Sequence, residues 1–181
     1  MDHSQARHIA ESVVFKLKPF VERILIAGSI RRQKKQCSDI DIVVIPSLTS
    51  VAVPNLFGSS IQQVRHPGFI EVIDGMEKLK GDPRGKYCQR MFQGMKVEIS
   101  IATKQNFGCI AMIRTGDADF SHLMMKRVRK CGLEQRDGFL WNYENKIVPV
   151  YEEEDYFKIL GLPYVKPEAR NADAFKRAMP A

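Results

Sequence analysis

Two short apolar segments of this chain carry carboxylates at alternating positions, a pattern that points to strands presenting acids on one face. In Ser38-Asp-Ile-Asp-Ile-Val-Val44, Asp39 and Asp41 alternate with Ile40 and Ile42. On a strand, residues i and i+2 point the same way with Cα atoms about 6–7 Å apart, so both carboxylates project together while the isoleucines anchor the other face. Two adjacent anions repel and resist burial unless a cation joins them. For oxygen-only ligands a divalent ion is the natural partner, with magnesium the default. A bare D-x-D also occurs as a pair of solvated strand-edge aspartates, so further residues must decide. Lys96-Val-Glu-Ile-Ser-Ile101 is a second alternating segment, in which Glu98 can lie beside the pair. Three carboxylates so gathered suit two ions roughly 4 Å apart and in-line phosphoryl transfer.

Ten residues before Asp39 a strand ends at Gly28-Ser29. Gly28 lets backbone approach a phosphate closely, Ser29 offers a hydroxyl and an N–H, and Arg31 and Arg32 add positive charge. The plainer alternative is a tight turn and a solvated basic loop; it is the order Gly-Ser, D-x-D, later strand carboxylate that carries the signal. The net charge of +7 agrees with an anionic partner, nucleic acid first among them. The four cysteines and four histidines are scattered without zinc-type spacing, as expected of reduced thiols in an intracellular chain. No apolar run reaches the ~20 residues of a membrane span, and the start shows no signal-peptide pattern.

Along the chain, Ile9, Val13 and Leu17 recur at helical spacing up to Pro19. Strands are predicted at 23–27, 39–45, 77–80, 87–92 and 96–102, with 48–66 left unassigned. A helix over 104–113 is interrupted at Thr115-Gly116. A second, from Asp117, has Phe120, Leu123, Met124, Val128 and Cys131 on one stripe. A strand pair at 138–141 and 147–150 and a last helix opened by Glu152-Glu-Glu-Asp155 follow. The class is α+β with an open mixed sheet, then a mainly helical second lobe. Residues 121–136 hold five Lys/Arg against one acid.

The combination resembles family X DNA polymerases. Ala27-Gly-Ser-Ile-Arg-Arg32 with Ser38–Val44 resembles the palm motif. Lys86–Phe92 resembles the hairpin before the third acid, Arg114-Thr-Gly116 the passage into the thumb, and Glu153–Glu168 the last helix and C-terminal turn. The resemblance implies a nucleotidyltransferase palm at 1–110, a small helical thumb with a short hairpin at 111–170, and a C-terminal tail at 171–181. It implies two Mg2+ ions (or Mn2+) held by Asp39, Asp41 and Glu98, with Lys96 and Glu98 beside a primer 3′-hydroxyl. Gly28, Ser29, Arg32 and Ser38 would bind the nucleotide phosphates, Thr115 and Gly116 would adjoin the sugar, and Ser121 and Met125 would face the nascent base pair. Lys126, Arg129 and Lys130 would contact nucleic acid.

The implied partners are a DNA primer–template and a nucleoside triphosphate, with the chain a monomer that an accessory DNA-binding partner can help, intracellular and cytoplasmic, nucleoid-associated in a bacterial or viral setting and nuclear in a eukaryotic one. The expected reaction is templated addition of dNMP from dNTP in short-gap or repair synthesis. The alternatives are a nucleotidyltransferase acting on an RNA end, small molecule or protein, and a non-catalytic DNA-end-binding module. Three departures from the family stand out. The third acid is Glu rather than Asp, Ile113-Arg114 replaces an aromatic pair tied to sugar selection, and Ser121 and Met125 replace polar and basic side chains.

Overall fold

The computed structural model describes residues 1–55 and 58–178. Helix α1 (His3–Leu17) starts at Asp2, whose carboxylate accepts the Gln5 N–H at 3.0 Å, and buries Ala6, Ile9, Ala10, Val13 and Leu17. Pro19 lies in a single 3-10 turn, Lys18–Phe20, that delivers the chain to β1 (Val21–Ile26). The short α2 (Gly28–Arg31) and β2 (Asp39–Pro46) come next.

The unassigned stretch contains a hairpin, β3 (Leu48–Asn55) with β4 (Gly58–Arg65), which forms a separate two-stranded sheet. Its Ile61 is 78% exposed, so no buried face generates the alternation that would announce it. Helix α3 (Pro67–Asp74) is also absent from the sequence pattern; His66 caps it, Nδ1 accepting the Gly68 N–H at 3.1 Å. Then β5 (Glu77–Gly81), β6 (Tyr87–Phe92) and β7 (Met95–Ile101) complete the main sheet.

That sheet has the order β1-β2-β7-β6-β5, with β2 and β7 parallel and the other pairs antiparallel, the open mixed form expected. Ile40, Ile42 and Val44 of β2 and Val97, Ile99 and Ile101 of β7 point into a core closed by α1 and α3. Val43 and Ile45 point to the opposite face, where helix α4 (Phe107–Thr115) covers them with Phe107 and Ala111. Asp39, Asp41 and Glu98 share this second face, at the end that α4 leaves open. The expected 104–113 helix divides into a 3-10 turn at Lys104–Asn106 and α4 itself.

Helix α4 belongs to both lobes, because its Cys109 and Met112 sit in a second core. That core is built by α5 (Ala118–Lys130), the sheet of β8 (Glu134–Arg136), β9 (Phe139–Trp141) and β10 (Ile147–Val148), and α6 (Glu153–Ile159). Strand β8 is an addition to the expected pair. Gly108 is required by close approach: a Cβ there would lie 2.1 Å from the Glu152 carbonyl oxygen.

The tail expected from residue 171 is corrected by the structure. Residues Ala172–Ala178 form α7, with Phe175 buried edge-on to Phe120 at a centroid distance of 6.1 Å; residues 179–181 lie outside those described. Arg170 precedes this helix. It is buried, donating to Glu153 Oε1 at 2.6 Å and to the Val165 carbonyl at 3.0 Å. Glu153 in turn accepts from Arg31 at 2.5 Å, tying the loop after β1 to α6.

Replacing Phe175 by Ala empties a well-packed site and is expected to destabilise the chain by about 3 kcal/mol, read from the urea midpoint; a loose tail would give no shift. A second expectation concerns Glu153. Burial alone would raise its carboxyl, but the hydrogen bonds and charges of Arg170 and Arg31 outweigh that and hold it below its ordinary value of 4.5. Because the folded value is the depressed one, the stabilisation is complete above about pH 4.5 and is lost as pH falls through the folded value. Glu153→Gln, which leaves Arg170 buried with a neutral partner, is expected to cost about 3 kcal/mol at pH 7. In thermal unfolding its deficit against the wild-type chain should narrow as pH falls below 4.5; a deficit constant down to pH 3 would contradict the assignment.

Candidate active site

The face of the sheet left open by α4 collects the charged residues. In register, Asp39 of β2 stands opposite Lys96 of β7 and Asp41 opposite Glu98, while Gln89 of β6 stands opposite Glu98 on its other side. The Lys96 ammonium bridges Asp39 Oδ2 at 3.2 Å and Glu98 Oε1 at 2.9 Å. Glu98 Oε1 also accepts from Gln89 Nε2 at 2.9 Å, and its Oε2 faces the Arg114 guanidinium at 3.4 Å. Burial works against ionisation of Glu98, but hydrogen bonds from Lys96 and Tyr87 and the charges of Lys96 and Arg114 prevail, keeping its carboxyl below the usual range. Glu98, through its hydrogen bond first, and Asp39 push the Lys96 ammonium up.

Asp41 is the strained member. Burial, then the negative charges of Asp39 and Glu98, raise its carboxyl from 3.8 to about 6. Gly28, in the left-handed conformation at φ 60°, packs directly on it: a Cβ at that position would come within 2.1 Å of Asp41 Oδ2. The Ala27 N–H donates to the Asp41 carbonyl at 2.8 Å, fixing this bend to β2. Only glycine satisfies both the positive φ and the close approach.

Beyond the bend lies an open cavity of about 800 Å³, lined by Ser29, Arg32, Ser38, Asp39, Asp41, Arg114 and Gly116 among others. The Ser29 hydroxyl is buried yet has no hydrogen-bond partner among the described residues, and the same holds for Arg32 Nε. Other atoms of Arg32 are engaged: Nη1 donates to the carbonyls of Thr115 at 2.7 Å and Gly116 at 3.1 Å. Ser38 is exposed, its hydroxyl donating to Asp39 Oδ1 at 3.2 Å.

The residues predicted for the sugar and base pair are placed less directly. Thr115 is fully buried and its hydroxyl accepts from Arg31 at 3.0 Å, so Gly116 and not Thr115 reaches the cavity. The Ser121 hydroxyl donates to the Ile113 carbonyl at 3.3 Å. Met125 is half-buried against the second core. Lys126, Arg129 and Lys130 are exposed on α5, with no ion pair among the described residues. Arg127 differs from them, its Nε donating to the Leu160 carbonyl at 2.9 Å.

Sequence reasoning missed Gln89 and Tyr87 as neighbours of Glu98. Alternation along β6 was the available signal, because Gln89 and Tyr87 fall on the face opposite buried Cys88. Arg114 was noted in the passage into the thumb and as a departure, not as a partner of Glu98; that contact depends on how α4 crosses the sheet.

The residues suit divalent cations by two tests. The donors are carboxylate oxygens, and the raised Asp41 carboxyl marks negative charge that the side chains present do not neutralise. As they stand, no three His, Cys, Asp or Glu side chains among the described residues are gathered closely enough to hold an ion. Asp41 and Glu98 are adjacent in register, but Glu98 is engaged with Lys96 and Arg114, and Asp39 with Lys96.

The DNA polymerase beta palm family matches residues 2–104, and the DNA polymerase beta thumb family matches residues 111–171. Among individual proteins, DNA polymerase lambda of Rattus norvegicus is 25% identical over 190 residues, an alignment covering 94% of this chain. It covers 33% of the relative, so the chain spans about a third of that protein's length. With the palm match alone taking in more than half of the sequence, the chain belongs to the family X DNA polymerases.

Proposed function

We propose that this chain is a DNA-directed DNA polymerase that adds dNMP from a dNTP to a primer 3′-hydroxyl, with residues 1–110 acting as palm and 111–170 as thumb. The observation carrying the proposal is the register that sets Asp41 beside Glu98, with the Gly28-Ser29 bend packed on Asp41. The primer oxygen attacks the α-phosphorus, the bond to the bridging oxygen breaks, and pyrophosphate leaves. Asp39 and Asp41 would hold two magnesium or manganese ions, with Glu98 a ligand to one of them. Such ions, when bound, stabilise the charge that develops on the attacking and leaving oxygens.

The protein's own groups do the rest. The unpartnered Ser29 hydroxyl and Arg32 Nε suit phosphate oxygens. Lys96, already hydrogen-bonded to Glu98, orients the primer hydroxyl, and the Glu98 carboxylate receives its proton. Exposed Lys126, Arg129 and Lys130 suit the DNA backbone. Short-gap or repair synthesis is the task proposed for this reaction. A second reading keeps the chemistry and changes the sugar or acceptor. It is favoured by Arg114, a cation lining the nucleotide cavity where the resemblance has an aromatic.

Asp41→Asn is expected to reduce magnesium-dependent primer extension by more than about 100-fold, since losing even an outer partner of a metal ligand costs ~10–100-fold. Extension at the wild-type rate would remove this site from the reaction. Running dNTPs and NTPs side by side on gapped, blunt and single-stranded primers separates the first reading from the second; ordered, template-directed dNMP addition supports the first. For DNA binding, each of Lys126→Ala, Arg129→Ala and Lys130→Ala is expected to lower the slope of log K against log salt by about 1. An unchanged slope in the triple variant would place the DNA elsewhere.

A further inference from the structure

We propose that Arg114 is an internal counter-ion for Glu98, holding that carboxylate apart from Asp39 and Asp41 until a divalent cation takes over the charge. The inference rests on the reading of these three acids as metal ligands. Both oxygens of Glu98 are engaged, Oε1 with Lys96 and Gln89, each at 2.9 Å, and Oε2 with Arg114 at 3.4 Å. Lys96 is two residues from Glu98 on β7, so the strand keeps it within reach in any state. Arg114 comes from a different element, the last turn of α4, and its ion pair can open without disturbing the sheet.

The guanidinium is held from two sides. It lies over the Tyr87 ring at 4.9 Å and against Glu98, whose side chain is only 12% exposed. Shielding of this degree makes the pair stronger than an open surface ion pair. Arg114 also has somewhere to go. It stands in the wall between the 800 Å³ cavity and a neighbouring one of about 420 Å³. That second cavity is lined by Tyr87, Asp137 and Ser100, and the Ser100 hydroxyl is buried without a partner among the described residues. On its other side a guanidinium released from Glu98 would face the unpartnered Ser100 hydroxyl and Asp137, whose Oδ1 is shared with Lys86 Nζ at 2.9 Å. Arg114 is on this account a positioning residue, acting on the reaction through Glu98.

A cation entering the site must displace this ion pair, so removing Arg114 should tighten binding of the metal alone. The test is direct titration of the purified chain with Mn2+, without nucleotide or DNA, following free Mn2+ by electron paramagnetic resonance. Arg114→Met and Arg114→Gln are expected to bind about two- to fivefold more tightly than wild type, the ratio set by a half-shielded ion pair. Arg114→Lys, which keeps the charge, should stay within about twofold of wild type, and added KCl should shrink the gap between neutral variants and wild type. Equal or weaker Mn2+ binding by both neutral variants, each still unfolding cooperatively, overturns the role of Arg114. Asp41→Asn is the control for the underlying reading. If it abolishes Mn2+ binding while the Arg114 variants match wild type, only the counter-ion role fails. If it binds like wild type, the metal site fails and the counter-ion role with it.

Discussion

The parallel pairing of β2 with β7 is the constraint on which the site depends. A parallel pair cannot be joined by a tight turn and needs a long crossover, which here carries the β3–β4 ribbon, α3, β5 and β6. Its register decides everything chemical. With Asp41 opposite Glu98, apolar side chains of both strands fill the core under α1, and the acids share the other face. A slip of one residue would drive Glu98 among Ile40, Ile42 and Val44 and turn Val97 and Ile99 outward. The buried face thus enforces a lateral row of like charges that electrostatics by itself would disperse.

Like charges directly opposite on neighbouring strands destabilise a sheet by roughly 0.2–1 kcal/mol. Here the repulsion is divided unequally. Asp39 and Glu98 are relieved by Lys96, and Glu98 again by Arg114, whereas Asp41 faces Gly28 and has no ion pair among the described residues. Burial first, and then that asymmetry, raises the Asp41 carboxyl to about 6, while Glu98 is held low. A chain that stored this charge for stability alone would have placed a lysine or arginine against Asp41. Leaving Asp41 without a paired cation among the described residues fits a site completed from outside.

How much of this was legible in the sequence follows from which forces leave a local trace. Strands β2 and β7 announce themselves because one face is buried, so the period of two survives with the acids marking its other face. The Gly28 bend is legible for a similar reason: a positive φ and a close approach both exclude side chains. The β3–β4 ribbon has no buried face, and its Ser and Gln residues give no alternation to read. Helix α3 is short and begins with His66 and Pro67, an unusual cap. The 171–181 stretch reads as polar tail, since a single buried aromatic, Phe175, holds its helix in place. Contacts such as Arg114 with Glu98 depend on the angle at which one element crosses another, which no spacing rule records.

The neighbours Arg31 and Arg32 show how finely that crossing matters. Sequence makes them one basic loop, yet Arg31 points to Glu153 and Thr115 Oγ1 while Arg32 holds the carbonyls of Thr115 and Gly116. Both therefore grip the C-terminal end of α4 or the helix beyond it. Helix α4 has Phe107 and Ala111 in the core on β2 and Cys109 and Met112 in the second core. Any reorientation of the second lobe must carry Arg114, Thr115 and Gly116 with it, or else unpack one of these cores. The backbone that carries Arg114 is therefore tied to the posture of the α5–α7 lobe, with Gly108, wedged against the Glu152 carbonyl, as the point where the helix is pinned.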